Sequence, residues 1–228
     1  MKSPRVSATS SFIDSSAQDL LQRSLHLFGR TTNFSAAVDV DTVDRLSTQA
    51  QTTRAKEAWK FSRVGLTNTF TRTRFAPVSG REIIESTNYF GGRLLVGPSS
   101  VSMPVDASLP GFEMLNHLRN MLAAGPALER REGESTVMSA TLRSGQTLKA
   151  WFHDGCVVPS RIEKHQGGNL VFAITRAEGR AGNSLLPQGD SLHFYENGRV
   201  TTTVLRSFSN IRELPEQLHE ASAQPSQK

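Results

Sequence analysis

The pattern of hydrophobic and polar positions along this chain alternates mostly with the period of a β-strand. Between Phe34 and Val101, five short runs are rich in Thr, Val, Phe and Ile, and Gly and Pro residues separate them. Such runs, bounded by residues that favour turns, are typical of successive strands. We therefore predict a meander with strands at residues 34–43, 58–66, 68–75, 81–86 and 93–101.

The second half of the chain shows clearer hairpin patterns, because short turns containing glycine separate its alternating runs. Asn197-Gly198 is the dipeptide most typical of a type I′ hairpin. A loop rich in Gly and Pro precedes that hairpin, at 179–190. We predict an up-and-down antiparallel sheet followed by a hairpin, with strands at residues 136–143, 146–153, 157–164, 170–176, 192–195 and 199–208.

Two segments have helical spacing instead. The first follows an N-cap pattern at 16–19, and the second begins at Pro110-Gly111 and stops at Gly125-Pro126. A third, short helix is predicted at 214–218. Residues 1–15 and 220–228 are polar tails in this interpretation, and 16–219 form a single domain. The apolar helical positions are Leu20, Leu21, Leu25 and Phe28 in the first helix, and Phe112, Leu115, Leu118, Met121 and Leu122 in the second.

Alternation also assigns the two faces of the predicted sheet. Leu148, Ala150 and Phe152 share one face, while Lys149 and Trp151 point the other way. An apolar sheet face must be covered, and a long curved sheet covered by few helices can leave a cavity. A fully packed core explains the same pattern equally well. If a cavity exists, we expect Leu115, Leu118, Met121 and Leu122 to form its lid and these residues to line it: Met138, Leu142, Leu148, Phe152, Ile162, Phe172 and Ile174.

Composition adds a preference for anionic partners. The chain has 228 residues, 37% hydrophobic and 21% charged, with a formal net charge of +5 and a pI near 9.8. These values are typical of a folded protein that binds nucleic acid, an anionic membrane surface or an acidic protein. Aromatic residues are interleaved with a basic segment between 54 and 93, a combination that suits either lipid headgroups or single-stranded nucleic acid. A solvated basic face with its aromatic residues turned inward explains it too. The predicted contact residues are Arg54, Lys56, Lys60, Arg63, Arg72 and Arg74.

No pattern typical of an enzyme is present. The single cysteine, Cys156, excludes an intrachain disulfide and a cysteine-rich zinc site. Six histidines are scattered without the spacing of metal ligands, and there is no nucleophile elbow, P-loop or dinucleotide fingerprint. His153 and Asp154 are adjacent on a strand, so their side chains point to opposite faces. We therefore predict no catalytic residues, no metal and no cofactor.

Three short motifs occur in a meaningful order: Asn33-Phe34-Ser35-Ala36 after the first helix, Trp151-Phe152-His153-Asp154-Gly155 with Val158-Pro159-Ser160-Arg161-Ile162 in the meander, and Asn210-Ile211-Arg212-Glu213-Leu214-Pro215-Glu216 after the last strand. Over residues 17–218, this order resembles the LolA-like superfamily of outer-membrane lipoprotein carriers and related envelope lipoproteins. The resemblance carries no specific ligand residue over to this chain.

The resemblance implies an α+β, mostly β fold, in which a curved antiparallel sheet, a half-open β barrel, wraps over two or three helices. It also implies a non-enzymatic carrier that holds acyl chains of a lipid or lipoprotein in the periplasm or cell envelope. The first residues have no apolar core of a signal peptide. The envelope location is therefore expected if an export signal was removed, and a cytoplasmic one otherwise. The alternative is a structural or interaction protein that binds an anionic partner through the basic segment.

Overall fold

The structure is a computed structural model that describes residues 15–30, 33–46, 49–64, 67–75, 82–90, 93–95, 113–177 and 188–213. Within these residues lie two helices, α1 (Ser15–Arg30) and α2 (Glu113–Ala124). The strands are β1 (Phe34–Asp44), β2 (Gln51–Val64), β3 (Thr67–Phe75), β4 (Glu82–Phe90), β5 (Arg93–Leu95), β6 (Ala127–Glu132), β7 (Ser135–Thr141), β8 (Gln146–His153), β9 (Arg161–Gln166), β10 (Asn169–Arg176), β11 (Gly189–Glu196) and β12 (Arg199–Glu213).

All of these strands belong to one antiparallel sheet with the order β5-β4-β3-β2-β1-β12-β11-β10-β9-β8-β7-β6. The chain forms a meander from β1 to β5, passes through α2, and returns from β6 to β12, which pairs with β1. The sheet is curved and does not close. The predicted α+β half-open barrel is therefore confirmed, with both meanders in the predicted order.

The two helices pack on each other and on one face of the sheet, where α2 contacts β7 and α1 contacts β6. We call this face the inner face and the opposite one the outer face. Leu21 of α1 and Leu118 and Met121 of α2 have no solvent exposure, and they join a core that extends across the inner face to Phe34 and Trp59. No helix in the described part of the chain is long and apolar enough to cross a membrane.

Some predicted boundaries are wrong for identifiable reasons. Strand β6 was not predicted, because its sequence has a single large apolar residue, Leu128, among charged ones. Strand β2 begins at Gln51 rather than at 58, since its first half is polar but pairs with β1 along its whole length. Strand β9 begins at Arg161 rather than at 157, after Pro159, which cannot donate a ladder hydrogen bond. The predicted third helix and residues 96–101 lie outside the described residues.

The backbone confirms the type I′ hairpin between β11 and β12. Asn197 and Gly198 have φ angles of 52° and 76°, and this turn type requires positive φ at both central positions. A second residue other than glycine with positive φ, Asn210 at 51°, lies inside β12 rather than in a turn. It marks a β-bulge in β12, where the pairing with β1 shifts register.

Candidate functional site

The structure brings all eleven predicted cavity residues together in one apolar cluster on the inner face. Eight of them are buried, and Leu122, Leu142 and Phe172 are partly buried against the cluster. Period-two alternation predicted the strand residues of this cluster correctly, as β8 shows, where every second residue from Leu148 to Phe152 is buried. Met138, Leu148 and Ile162 have no exposed surface. Side chains therefore occupy the space between α2 and these strands.

The apolar cluster continues beyond the predicted residues into an aromatic group on β1, β2, β3 and β12. The Phe34 and Phe61 rings stack with centroids 5.7 Å apart. The indole of Trp59 makes edge contacts with Phe70 at 5.6 Å and with Phe208 at 5.5 Å. The sequence interpretation treated Trp59, Phe61 and Phe70 as part of the basic segment. Their alternation in β2 and β3 was the available signal that they face inward.

A buried ion-pair network crosses the inner face between the two parts of the cluster. The Arg206 guanidinium donates from Nε to Asp190 Oδ1 at 2.6 Å and from Nη2 to Asp190 Oδ2 at 2.7 Å. It also donates from Nη1 and Nη2 to the Glu113 carboxylate at 2.9 and 3.2 Å. Only 4% of the Arg206 side chain and 5% of the Asp190 side chain are exposed. Sequence analysis did not identify this network, because its members are distant in the chain.

Arg206 is held in the charged state by these neighbours. Burial alone would lower the pKa of Arg206, but the charges of Glu113 and Asp190 and their hydrogen bonds outweigh it and raise the pKa. The guanidinium also lies over the rings of Trp59 at 5.6 Å and Phe208 at 5.9 Å, which favours a cation there. Glu113 opens α2, so Arg206 links the first turn of this helix to β12.

A second buried carboxylate, Glu57, binds the inner-face arginines of β3. It accepts hydrogen bonds from Trp59 Nε1 at 2.7 Å and from Arg72 Nε at 2.8 Å. Arg74 Nε lies 3.4 Å from the same carboxylate. These contacts explain how Glu57, which is 3% exposed, stays paired inside the core.

The six predicted anion-contact residues are consequently divided between two faces. Arg72 and Arg74 share the inner face, where they bind Glu57. Arg54, Lys56 and Lys60 alternate with the buried Trp59 and therefore lie on the outer face. The side chain of Arg63 lies outside the described residues. The structure does not bring the five described residues into one basic surface.

An aromatic group lies where the apolar cluster meets solvent beside α2. The rings of His117 and Phe172 are 5.3 Å apart, as are those of Phe172 and Phe194. Phe194 is 41% exposed. Burial, which is the largest cause, and the charge of Lys164 together lower the pKa of His117 to about 4, against the opposing charge of Glu113. His117 is therefore neutral at pH 7 and packs as an aromatic residue.

The residues considered for catalysis lie on the outer face or in turns. His153 Nδ1 lies 2.9 Å from Ser135 Oγ, whereas Asp154 accepts from Arg131 Nη2 at 2.7 Å. His153 and Asp154 thus engage different partners. Ser135 and His153 line an open outer-face groove of about 440 Å³. Among the described residues, no three His, Cys, Asp or Glu side chains are grouped as metal ligands.

Comparison with known proteins gives a result at the level of the fold. No family model matches this sequence, and no curated protein does so. The chain is similar to the solved structure of a LolA superfamily protein from Nitrosomonas europaea, with 18% identity, a TM-score of 0.55, and coverage of 87% of this chain and 94% of that one. It is also similar to a putative outer membrane lipoprotein-sorting protein domain from Vibrio parahaemolyticus, with 11% identity, a TM-score of 0.56, and coverage of 87% and 92%. The half-barrel, its strand order and these likenesses together show that the chain has a LolA-like fold.

Proposed function

We propose that this protein is a non-enzymatic carrier or binding protein of the cell envelope that holds acyl chains of a lipid or lipoprotein against the inner face. The observation that supports this most directly is the continuous apolar cluster, which runs from α2 to the aromatic residues of β2 and β3. A lipoprotein-sorting domain and a LolA superfamily protein share the fold. Acyl chains are the ligand class that such a surface suits, because affinity then comes from apolar burial.

In the proposed mechanism, α2 is a lid whose place the acyl chain takes. Four side chains of α2 are buried: Met114, Leu115, Leu118 and Met121. Exposing four such side chains costs about 6–12 kcal/mol, at about 1.5–3 kcal/mol for each. Each buried methylene contributes about 0.8 kcal/mol, so roughly 8–15 methylenes offset the displacement of the helix. The proposal therefore favours long-chain acyl ligands over short ones.

The ion pair between Glu113 and Arg206 is the proposed latch of this lid. It joins the first turn of α2 to β12. Asp190 keeps Arg206 paired when α2 moves, so the open state does not leave an uncompensated buried charge. The ion pair therefore lowers the population of the open state, but the displacement of α2 remains energetically accessible.

The first experiment is native mass spectrometry of gently purified protein, followed by organic extraction and lipid analysis. A co-purifying long-chain lipid, released on denaturation, is the expected result. A clean apo mass that persists after incubation with long-chain fatty acids contradicts the proposal. Fractionation of cells that express the full gene tests the envelope location separately, with recovery in the cytoplasm as the contrary result.

A pair of variants then locates the binding surface. Phe172→Asp places a charge on the inner face beside His117 and should abolish retention of a fluorescent long-chain fatty acid. Leu205→Asp makes the same change on the outer face, where Leu205 lies opposite Asp41 and is 44% exposed, and should leave retention unchanged. Circular dichroism confirms that both variants are folded. Equal retention by two folded variants rules out this inner-face site.

A further inference from the structure

A groove of about 360 Å³ lies on the outer face, where β12, β1, β2 and β3 run side by side. Small side chains form its floor, among them Ala37 and Ala58. Lys60 and Arg212 also line it. The groove faces away from the apolar cluster of the proposed carrier site, so it is a separate feature of the surface.

The register of the strands aligns the polar residues of this groove. Arg212, Ser35, Lys60 and Thr71 occupy successive strands in one row across the sheet. Neighbouring strands are about 4.8 Å apart, so Lys60 and Arg212 flank Ser35 at a separation of about 10 Å. Directly paired residues point to the same face. Two cations with long side chains therefore flank the hydroxyl group of Ser35, an arrangement that suits a tetrahedral oxyanion placed over Ser35.

The other outer-face cations of β2 are matched by acids, whereas this row is not. Arg54 Nε lies 3.5 Å from Asp41 Oδ1, and Lys56 lies directly opposite Asp39. In the row of Lys60, the positions on β12, β1 and β3 hold Arg212, Ser35 and Thr71. Among the described residues of this row, no acid is paired with Lys60 or Arg212, whereas Lys56 and Arg54, two and three rows further along β2, each lie opposite an acid.

A β-bulge is what brings Arg212 to this face. Arg206 and Phe208 are buried on the inner face, and strict alternation would direct residue 212 inward as well. The register shifts between Ser209, which pairs with Ala37, and Arg212, which pairs with Ser35. The extra residue is accommodated at Asn210, which has a φ of 51°. Bulges commonly redirect a side chain at a functional site, and this one places a second cation beside Lys60.

We propose that Lys60 and Arg212 bind the headgroup phosphate of an anionic phospholipid and dock the outer face on a membrane surface. The groove is open and both cations are exposed, which suits a phosphate presented by a bilayer better than an isolated, fully hydrated anion. Ile84, which is 64% exposed, pairs with the groove residue Thr73 and adds an apolar contact on the same face. Basic residues beside an exposed aliphatic side chain are typical of proteins that bind at the membrane interface.

The test is co-sedimentation of the full chain with vesicles of phosphatidylcholine, with and without a one-third share of phosphatidylglycerol. We expect binding to the anionic vesicles only. The variant Lys60→Gln/Arg212→Gln should bind the anionic vesicles about 30-fold more weakly. Each basic residue near a membrane surface contributes about 1 kcal/mol to binding, and the loss of two such contributions corresponds to this factor. The control Arg54→Gln/Lys56→Gln removes the same charge from the same face and should change binding by less than about threefold, because Lys56 and Arg54 lie about 13 and 20 Å from Lys60 along β2, beyond the Debye length of about 8 Å.

Three results would overturn the proposal: no binding to anionic vesicles, equal weakening in the two double variants, or displacement of the protein by millimolar inorganic phosphate at constant ionic strength. The last result would assign the groove to a soluble phosphate instead. All four substituted side chains are exposed, so the variants should fold, and matching thermal unfolding curves check this. None of these results depends on whether the inner face binds acyl chains.

Discussion

Replacing Glu113 by Gln should make the protein less stable and, at the same time, a better binder of acyl chains. The substitution keeps the shape of the side chain but removes the charge that faces Arg206 at 2.9 Å. Hydrogen bonds to charged groups contribute about 1.5–3 kcal/mol each, and the 27% exposure of the Glu113 side chain favours the lower end. We therefore expect the free energy of unfolding to fall by about 1.5–2 kcal/mol.

The substitution that lowers the free energy of unfolding should also tighten the binding of acyl chains. If α2 must move before an acyl chain enters, destabilising only the closed state by about 1.5–2 kcal/mol raises the open fraction roughly 10–30-fold. The apparent Kd falls by the same factor while the open state remains a minor one. Urea denaturation measures the stability, and titration with a fluorescent long-chain fatty acid measures the affinity.

Glu57→Gln is the matched control for this prediction. Glu57 is also a buried carboxylate bonded to an arginine, but its partners, Trp59 and Arg72, lie within the sheet and not on α2. It should lower stability without tightening binding. The reasoning is refuted if Glu113→Gln binds no more tightly than the unsubstituted protein, or if both variants tighten binding equally.

Three further predictions concern stability. The pKa of His117 is lowered from 6.5 to about 4, mainly by burial and then by Lys164, so between these pH values only the unfolded chain binds the proton. The free energy of unfolding should therefore fall by up to about 3 kcal/mol as the pH drops from 6.5 to 4. Urea denaturation at several pH values measures this, and His117→Leu should reduce the pH dependence. Asn210→Gly should change the free energy of unfolding by less than about 0.5 kcal/mol, since glycine adopts positive φ freely. Asn210→Val should lower the free energy of unfolding by about 1–3 kcal/mol, because a β-branched residue is strained at positive φ. Trp59→Ala should lower the free energy of unfolding by about 3–5 kcal/mol, because Trp59 is 2% exposed. Trp151→Ala, measured in the same assay, should lower it clearly less, because Trp151 is half-buried. Equal losses would contradict the assignment of the two residues to different faces.

Much of the half-barrel was predictable because its signals are local. Alternation with period two depends only on the residue and its neighbours, so it assigned Leu148 and Phe152 to the inner face and Trp151 to the outer face correctly. Turn chemistry is equally local, as Asn197-Gly198 illustrates. Alternation in the strands and helical spacing in α2 together predicted eleven apolar residues, which the structure brings into one cluster. Whether that cluster binds acyl chains remains a prediction.

The tertiary structure alone decided which distant positions meet. Glu113, Asp190 and Arg206 form one network only because α2, β11 and β12 converge on the inner face. Arg72 and Arg74 bind Glu57 across a strand pair, which removed them from the surface that the basic segment suggested. The bulge at Asn210 then turned Arg212 outward, against the alternation of its own strand. The charge of a residue and the alternation of a strand can be read from a single segment of the sequence. Ion pairing and strand register depend instead on which strand or helix lies beside that segment, and the packing of the whole sheet determines this.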